Sequence, residues 1–203
     1  GHEAPCIRGR LWYINYVAEH MDITNLSGSF LIAAPGMEDP NFSRTVVLIC
    51  EHSREGAFGL IINKVLMNSF KPLLSAFEIQ KTSVDLPIYY GGPVKPEQGY
   101  VIYSPYKEKY GAIRVTKNLA VTASKEILHD IAGGKGPSKY MFALGFSGWA
   151  PNQLEQEMMT DSWLVAPLKY DIIFDIPPAD RWKETADTIG VDFGRFFCSG
   201  GSA

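Results

Sequence analysis

The feature that most constrains the fold is a series of short apolar runs, rich in β-branched and aromatic residues and ended by turn residues. The first three are Gly28–Ala34, which Pro35-Gly36 ends, Arg44–Glu51 and Phe58–Asn63. Such runs are typical of strands, and the turn residues Ser53–Gly56 predict a hairpin between the second and the third. Further strands are predicted at Pro87–Tyr90, Gly99–Tyr103, Ala112–Val115, Leu119–Val121, Lys139–Phe146, Trp163–Ala166 and Ile172–Phe174.

Helical patterns are fewer, and they stand between groups of predicted strands. Apolar spacing, capping residues and prolines suited to a first helical turn are the signals. They predict helices over Ser69–Phe77, over Lys125–Ala132 behind Ser124, from Pro151 through Met159, and from Pro178 to Gly190. Helices separated by several strands indicate an α+β fold rather than a regular βαβ alternation.

The length of 203 residues, with 46% hydrophobic and 20% charged residues, is typical of one globular domain. Because Met21 is a natural start residue, we interpret residues 1–20 as an N-terminal extension and residues 21–203 as a single domain. No apolar run approaches the roughly 20 residues that a membrane span needs, so we expect no membrane association.

Cysteine use and charge exclude further classes of protein. The three cysteines, Cys6, Cys50 and Cys198, are odd in number and widely spaced, which argues against a disulfide framework or a zinc site. We therefore expect a cytoplasmic protein without metal or cofactor. The net charge of −3 argues against a broad basic surface for nucleic acid. The local basic excess at Lys107–Lys117, interleaved with tyrosines, leaves direct DNA binding as an alternative to an ordinary solvated hairpin.

Polar residues cluster around the first three predicted strands. Asp39 and Arg44 lie in the first connecting loop, Glu51 and His52 follow the second strand, and Asn63 ends the third. If these strands are neighbours, a carboxylate, an imidazole and an amide converge near one edge of the sheet. The competing interpretation is a hydrogen-bonded turn network, since Asp and Asn in turns usually bind backbone donors.

Several of these segments, in this order, resemble the YqgE/AlgH family of bacterial proteins. The matching segments are Gly28–Met37, Asp39–Val46, Cys50–His52, Glu55–Asn63, Tyr90–Val94, Leu144–Trp149, Gln153–Glu155, Phe174-Asp175 and Arg181-Trp182. The resemblance covers about residues 26–192, with Ala150 in place of the family's glycine after Gly148-Trp149.

The resemblance implies an α+β fold in which a large mixed, mainly antiparallel sheet curls into a partial barrel with flanking helices. It implies no established enzymatic activity. The family name comes from proposed transcriptional regulation of alginate synthesis, although family members have no familiar DNA-binding motif.

The leading hypothesis is a non-enzymatic regulatory or interaction protein with a polar cleft for a small anionic ligand or a peptide. Arg44 is the expected anion-binding group, because a guanidinium forms forked pairs with carboxylates and phosphates. The expected lining residues are Asp39, Arg44, Glu51, His52, Asn63, Trp149 and Gln153.

The alternative is a hydrolase or thiol-redox protein. In it, His52 is a general base oriented by Glu51 or Asp39, and Cys50 is the nucleophile. Alternation along a strand weakens this alternative, because Cys50 and Glu51 are expected on opposite faces.

Overall fold

The computed structural model describes residues 22–193, together with Val17 and Glu19. Its fold is mixed α+β, with one large, mainly antiparallel sheet and few helices, as the sequence predicts. Except for Val17 and Glu19, the extension expected over residues 1–20 lies outside the described residues, as do Cys6 and Cys198.

Ten strands form the sheet within the described part of the chain. They are β1 (Ser29–Ala33), β2 (Val46–Ser53), β3 (Gly56–Ile61), β4 (Val65–Met67), β5 (Ile88–Tyr90), β6 (Val94–Ser104), β7 (Ile113–Arg114), β8 (Ala120–Thr122), β9 (Lys139–Trp149) and β10 (Trp163–Pro167). The main path runs β10-β1-β2-β3-β9-β6-β8-β7, with β5 on β9 and β4 on β5. The path does not return to its start, so the sheet is not closed into a barrel. The β5–β9 pair is parallel, which makes the sheet mixed.

Four α-helices lie between Lys125 and Asp187: α1 (Lys125–Ala132), α2 (Gln153–Met159), α3 (Tyr170–Phe174) and α4 (Arg181–Asp187). Ser124 caps α1 as predicted, because its Oγ accepts a hydrogen bond from the Glu126 amide at 3.2 Å. Helices α2 and α4 lie within the helices predicted after Pro151 and Pro178, and a 3₁₀ turn at Pro178–Asp180 precedes α4.

Helices α2 and α4 cover opposite faces of β1 and β2. Phe30 and Ile32 of β1 pack in one core cluster with Trp182 of α4. Leu31, which lies between them, packs in another cluster with Leu154 of α2. Successive side chains of a strand point to opposite faces, so we call these two clusters the α4 face and the α2 face. Burial of both faces explains the uninterrupted apolar sequence of these strands.

Strand β9 is the centre of the sheet, because β6 pairs with one edge while β3 and β5 share the other. Where β5 ends beside β9, Gly92 has a φ of 152° and Gly145 a φ of 74°. A Cβ on Gly145 would lie 2.3 Å from the Gly92 carbonyl oxygen. Only glycine permits both this backbone conformation and this close approach. Gly92 and Gly145 therefore allow the backbone after β5 to lie close to β9.

Two predicted elements are wrong in type or length. The run Ile172–Phe174, predicted as a strand, lies in α3, since its two isoleucines pack together on the α4 face. An apolar run this short does not distinguish a strand from a buried helix. The helix predicted over Ser69–Phe77 is reduced to a 3₁₀ turn at Lys71–Leu73. Just after the predicted helix, Glu78 has a left-handed backbone conformation with a φ of 60°. Strand β4 was not predicted, because its three residues show no buried alternation.

Candidate functional site

The residues selected from the sequence do not gather in one cleft. His52, Trp149 and Gln153 make their hydrogen bonds to or beside α2, on the α2 face. Arg44 instead stacks on Trp182 of α4. Glu51 is exposed at the end of β2. The sheet therefore divides the expected constellation.

Asp39 shapes the loop between β1 and β2. Its Oδ1 accepts a hydrogen bond from the Asn41 amide at 2.9 Å, and its carbonyl oxygen accepts from the Phe42 amide at 3.0 Å. The Phe42 ring then packs against Trp149 and Trp163, at centroid distances of 6.2 and 5.5 Å. Asp39 thus acts as a turn residue that seats Phe42 on the α2 face.

Arg44 and Asn63 join this loop to β2. The side-chain amide of Asn63 donates to the Arg44 carbonyl and accepts from the Val46 amide, both at 2.8 Å. Arg44 has a φ of 57°, and its guanidinium lies 4.8 Å from the centre of the Trp182 ring. Its side chain is exposed, so water solvates the charge. The two residues fix the backbone where the loop enters the sheet.

Lys64 and Tyr90, which the sequence did not indicate, complete this loop. The Lys64 ammonium donates to the carbonyls of Pro40 and Asn41 at 3.0 and 2.9 Å, and the Tyr90 hydroxyl donates to Asn41 Oδ1 at 2.9 Å. Burial lowers the pKa of Lys64, although the charge of Asp39 acts in the other direction. Burial and Asp39 together raise the pKa of Tyr90. The side chains of Lys64 and Tyr90 therefore stabilise the loop between β1 and β2.

His52 is 7% exposed, and both of its ring nitrogens are hydrogen-bonded. Nδ1 accepts from the Leu26 amide at 3.0 Å, and Nε2 lies 2.8 Å from Glu155 Oε1. A nitrogen that accepts an N–H carries no proton, so the ring is the neutral tautomer that donates from Nε2. Its carboxylate partner is Glu155, not the expected Glu51 or Asp39. The imidazole ties the segment before β1 to α2 and has no nitrogen free for proton abstraction.

Glu157 accepts hydrogen bonds from three other side chains of the α2 face. Its Oε2 accepts from the indole N–H of Trp149 at 2.9 Å and of Trp163 at 2.8 Å, and its Oε1 accepts from Gln153 Nε2 at 2.9 Å. Gln153 Oε1 in turn accepts from the Ala150 amide at 3.0 Å. Trp149 and Gln153, expected to line a cleft, are thus engaged within the protein.

Cys50 lies in the core of the α4 face and is 2% exposed. Burial raises the pKa of its thiol, and the charge of Glu51 adds to the effect. A reactive cysteine needs access and a populated thiolate. Because both nitrogens of His52 are also engaged, the geometry does not supply the nucleophile and base that the hydrolase or redox alternative requires.

The basic segment Lys107–Lys117 is partly neutralised within the chain. Lys109 binds Asp130 and lies 3.8 Å from Glu126. Arg114 stacks on Tyr106 at 4.6 Å. These contacts favour the solvated hairpin over a nucleic-acid surface.

A cleft of about 220 Å³ lies between β5, β9, α3 and α4, apart from the polar clusters described above. None of the residues selected from the sequence lines it. Its wall includes Tyr89, Tyr140, Met141, Phe142, Phe174 and Arg181.

Among the described residues that line this cleft, Arg181 is the one that carries a charge, and it is only 3% exposed. Its Nε donates to the Ile176 carbonyl at 2.8 Å. Its Nη1 donates to the Ile62 carbonyl and lies 3.7 Å from Met141 Sδ. The guanidinium also lies over the Tyr89 ring, 5.3 Å from its centre.

The charge of Arg181 has no close counter-ion among residues 22–193, where none of the ion pairs within 4.0 Å includes it. Burial lowers the pKa of Arg181, while Tyr89 and Asp175 act in the other direction. Asp175 is itself bonded to Lys139. Every fully buried side-chain nitrogen or oxygen of the described residues has a hydrogen-bond partner, so what Arg181 lacks is a carboxylate and not a hydrogen bond.

The sequence around Arg181 contains a signal that could have indicated its burial. In the helix predicted from Pro178 to Gly190, the apolar residues Trp182, Ala186 and Ile189 recur at helical spacing. Arg181 and Thr185 are buried beside these residues, and residues four apart share one side of a helix. An arginine next to a buried tryptophan on such a helix indicates a cation held in the core.

The described residues contain no cluster of three or more His, Cys, Asp or Glu side chains suited to a metal ion. Within the same part of the chain, no helix has the length and apolar character that crossing a membrane requires.

Comparison with known proteins gives concordant results. A family model described as DUF179, AlgH-like, matches residues 30–194. A UPF0301 protein of Methylococcus capsulatus is 41% identical over 170 residues, covering 82% of this chain and 90% of that protein. The UPF0301 protein YqgE of Escherichia coli O1:K1 is 39% identical over 175 residues, covering 83% and 94%.

Two solved structures share the fold. The solution structure of the AlgH protein from Pseudomonas aeruginosa has a TM-score of 0.74 and 34% identity, covering 91% of this chain and 99% of that one. The crystal structure of protein DIP2367 from Corynebacterium diphtheriae has a TM-score of 0.62 and 25% identity, covering 77% and 83%.

Proposed function

Because the chain belongs to the AlgH-like family DUF179, whose name assigns no reaction, we propose a function from the chemistry of its own cleft. The protein is a non-enzymatic binding protein, and a small anionic ligand binds at Arg181. The proposal keeps the ligand class expected from the sequence and moves the anion-binding role from Arg44 to Arg181.

The observation that carries the proposal is a buried cation that lines a cleft and has no close counter-ion among the described residues. Removing a charge from water costs several kcal/mol unless a partner compensates for it. Carbonyl oxygens accept from Nε and Nη1 of Arg181, but no carboxylate among the described residues neutralises it. An anion in the cleft would supply the missing charge and accept a charge-assisted hydrogen bond from the guanidinium.

The polar clusters elsewhere support a binding protein over an enzyme. Cys50 is buried, and His52 and Glu157 are engaged in hydrogen bonds that hold α2 on the sheet. A regulatory role would then act through occupancy of the cleft rather than through direct contact with DNA, which the acidic pI near 5.8 also disfavours. The same proposal includes a cytoplasmic location and a single domain over residues 21–203.

The test is a titration of the ¹⁵N-labelled full chain, followed by NMR, with acetate, benzoate, inorganic phosphate and phenyl phosphate at constant ionic strength. We expect at least one of these anions to shift the amide signals of Tyr89, Tyr140 and Ile173 at millimolar concentration. The shifts should disappear in Arg181→Met and persist in Arg44→Met, the matched control for removal of a nearby cation.

Two results contradict the proposal. One is the absence of cleft shifts with every anion of the panel. The other is equal binding by Arg181→Met and the wild type. Because Arg181→Met could alter the fold, Arg181→Lys is measured beside it; it retains the charge and should retain weakened binding.

A further inference from the structure

We propose that the ligand of the Arg181 cleft is a small aromatic monocarboxylate, a single ring bearing one carboxylate group. This inference rests on the proposed anion-binding function and adds the chemical class of the anion. Three features of the cleft carry it: its single charge, the nature of its walls and its size.

The charge of the cleft matches a monoanion. Among the described residues of the wall, Arg181 is the one whose side chain carries a fixed charge, and the carbonyl groups that accept from it are neutral. A phosphate monoester near its dianionic form brings almost two charges and three acceptor oxygens, which need several donors once they leave water. One carboxylate balances one guanidinium, and a carboxylate oxygen that accepts from the guanidinium forms a charge-assisted hydrogen bond.

The walls of the cleft favour an aromatic ring. Four ring side chains, those of Tyr89, Tyr140, Phe142 and Phe174, line it together with aliphatic groups. Aromatic rings pack against one another in offset or edge-to-face contacts, which add to the gain from burial of their apolar surface. A purely hydrophilic anion would leave these walls uncovered.

The volume of the cleft limits the ligand to about one ring. An apolar cavity of about 150 Å³ holds benzene. The Arg181 cleft has about 220 Å³, which leaves room for a carboxylate beside a six-membered ring. It is smaller than the roughly 300–1,000 Å³ of pockets that take drug-sized ligands. A nucleotide or a folded peptide is therefore excluded from its interior.

The experiment compares ligands that differ in one property at a time, again by NMR titration of the full chain. Benzoate is compared with benzamide, which lacks the charge; with acetate, which lacks the ring; and with phenyl phosphate, which exchanges the anionic group. We expect benzoate to bind at least about tenfold more tightly than each of the others, a difference of about 1.4 kcal/mol.

Two variants test separately the contacts that we expect for the ring and for the carboxylate of the ligand. Tyr140→Ala removes one ring of the wall and should weaken benzoate binding severalfold without changing the affinity for acetate. Arg181→Lys should weaken benzoate and acetate and leave the weak binding of benzamide unchanged. Amide spectra confirm that each variant is folded.

The outcomes separate this inference from the proposed function. If phosphate or phenyl phosphate binds at Arg181 more tightly than benzoate, the aromatic carboxylate is wrong while anion binding stands. If acetate equals benzoate, the ring has no role and the inference is likewise wrong. If no anion binds in the cleft, both proposals fail.

Discussion

The two faces of strands β1 and β2 use polar groups in opposite ways. On the α2 face, Glu157 accepts three hydrogen bonds from two indoles and an amide, and His52 joins Leu26 to Glu155. On the α4 face, Arg181 keeps a buried charge with no close carboxylate among the described residues. The face that was predicted to be functional has its polar groups paired with one another, and the face that was predicted to be plain core holds a buried charge without a close carboxylate among the described residues. Complete hydrogen-bond networks are typical of structural residues, whereas a buried charge without a close carboxylate beside a cleft is the feature on which the proposed ligand site rests.

The largest expected effect is the protection of Cys50. Its thiol belongs to the α4 face, and burial raises its pKa, so reaction requires opening of that face. In a chain carrying Cys6→Ser and Cys198→Ser, Cys50 should react with a disulfide reagent at least about a thousandfold more slowly than in urea-unfolded protein. Absorbance of the released thiolate measures the rate. Rapid reaction of the native chain would show that the α4 face is not a closed core.

Glu157→Ala should be the most destabilising change on the α2 face. It leaves the indole N–H groups of Trp149 and Trp163 without their acceptor, and a buried donor left unpaired costs about 1–3 kcal/mol. We expect the free energy of unfolding to fall by about 3 kcal/mol, measured by urea denaturation. Glu155→Ala, which removes a carboxylate of the same helix from a single partner, is the matched control and should cost less.

Arg181→Met should alter stability less than Glu157→Ala, although Arg181 is the more buried residue. The variant loses hydrogen bonds to Ile62 and Ile176 but also removes the cost of a buried, uncompensated charge. We expect a net change within about 1 kcal/mol in the same urea experiment, while anion binding is lost. A loss as large as that of Glu157→Ala would mean that Arg181 is a structural residue like those of the α2 face.

The smallest effect concerns acid stability. Burial of Glu155 favours its neutral form, but hydrogen bonds from its own backbone N–H and from His52 outweigh burial and lower the pKa of the carboxyl. A carboxyl whose pKa is lowered by folding stabilises the protein above its unfolded-state pKa of about 4.3 and loses that contribution as the pH falls through the folded value. The difference in unfolding free energy between wild type and Glu155→Gln should therefore be constant above about pH 5 and shrink below about pH 4.

The contribution should stay below about 1 kcal/mol, since the Glu155 side chain is 42% exposed and water screens it. Urea denaturation at several pH values provides the measurement. A difference that does not change with pH would show that the charge of the Glu155 carboxylate does not stabilise the α2 face.

Local sequence patterns predicted most of the strands, the hairpin between β2 and β3, and the cap of α1, because these depend on neighbouring residues. The partners of the polar side chains could not be predicted in this way. His52 and Glu155 are 103 positions apart and meet only because α2 follows β9, which itself pairs with β3. Glu51 and Asp39 were near in sequence, but Glu51 ends exposed and Asp39 is engaged in its own turn.

Arg181 shows the other limit of sequence reasoning. Its partners are carbonyl oxygens of Ile62 and Ile176, and every residue of a chain carries such a group, so no side-chain motif indicates them. The cleft also depends on α3, whose residues Ile172–Phe174 were predicted as a strand. With that element assigned incorrectly, the wall opposite β9 could not be foreseen.

The position of β10 has a consequence for synthesis on the ribosome. Strand β1 pairs with β2 soon after both emerge, but its other edge waits for β10, since Ser29 pairs with Pro167. Until then, the nascent chain presents an unpaired apolar strand edge, the kind of surface that promotes aggregation. Completion of the sheet is therefore a late, long-range event, and the interval before β10 emerges is when a chaperone would have the most to protect.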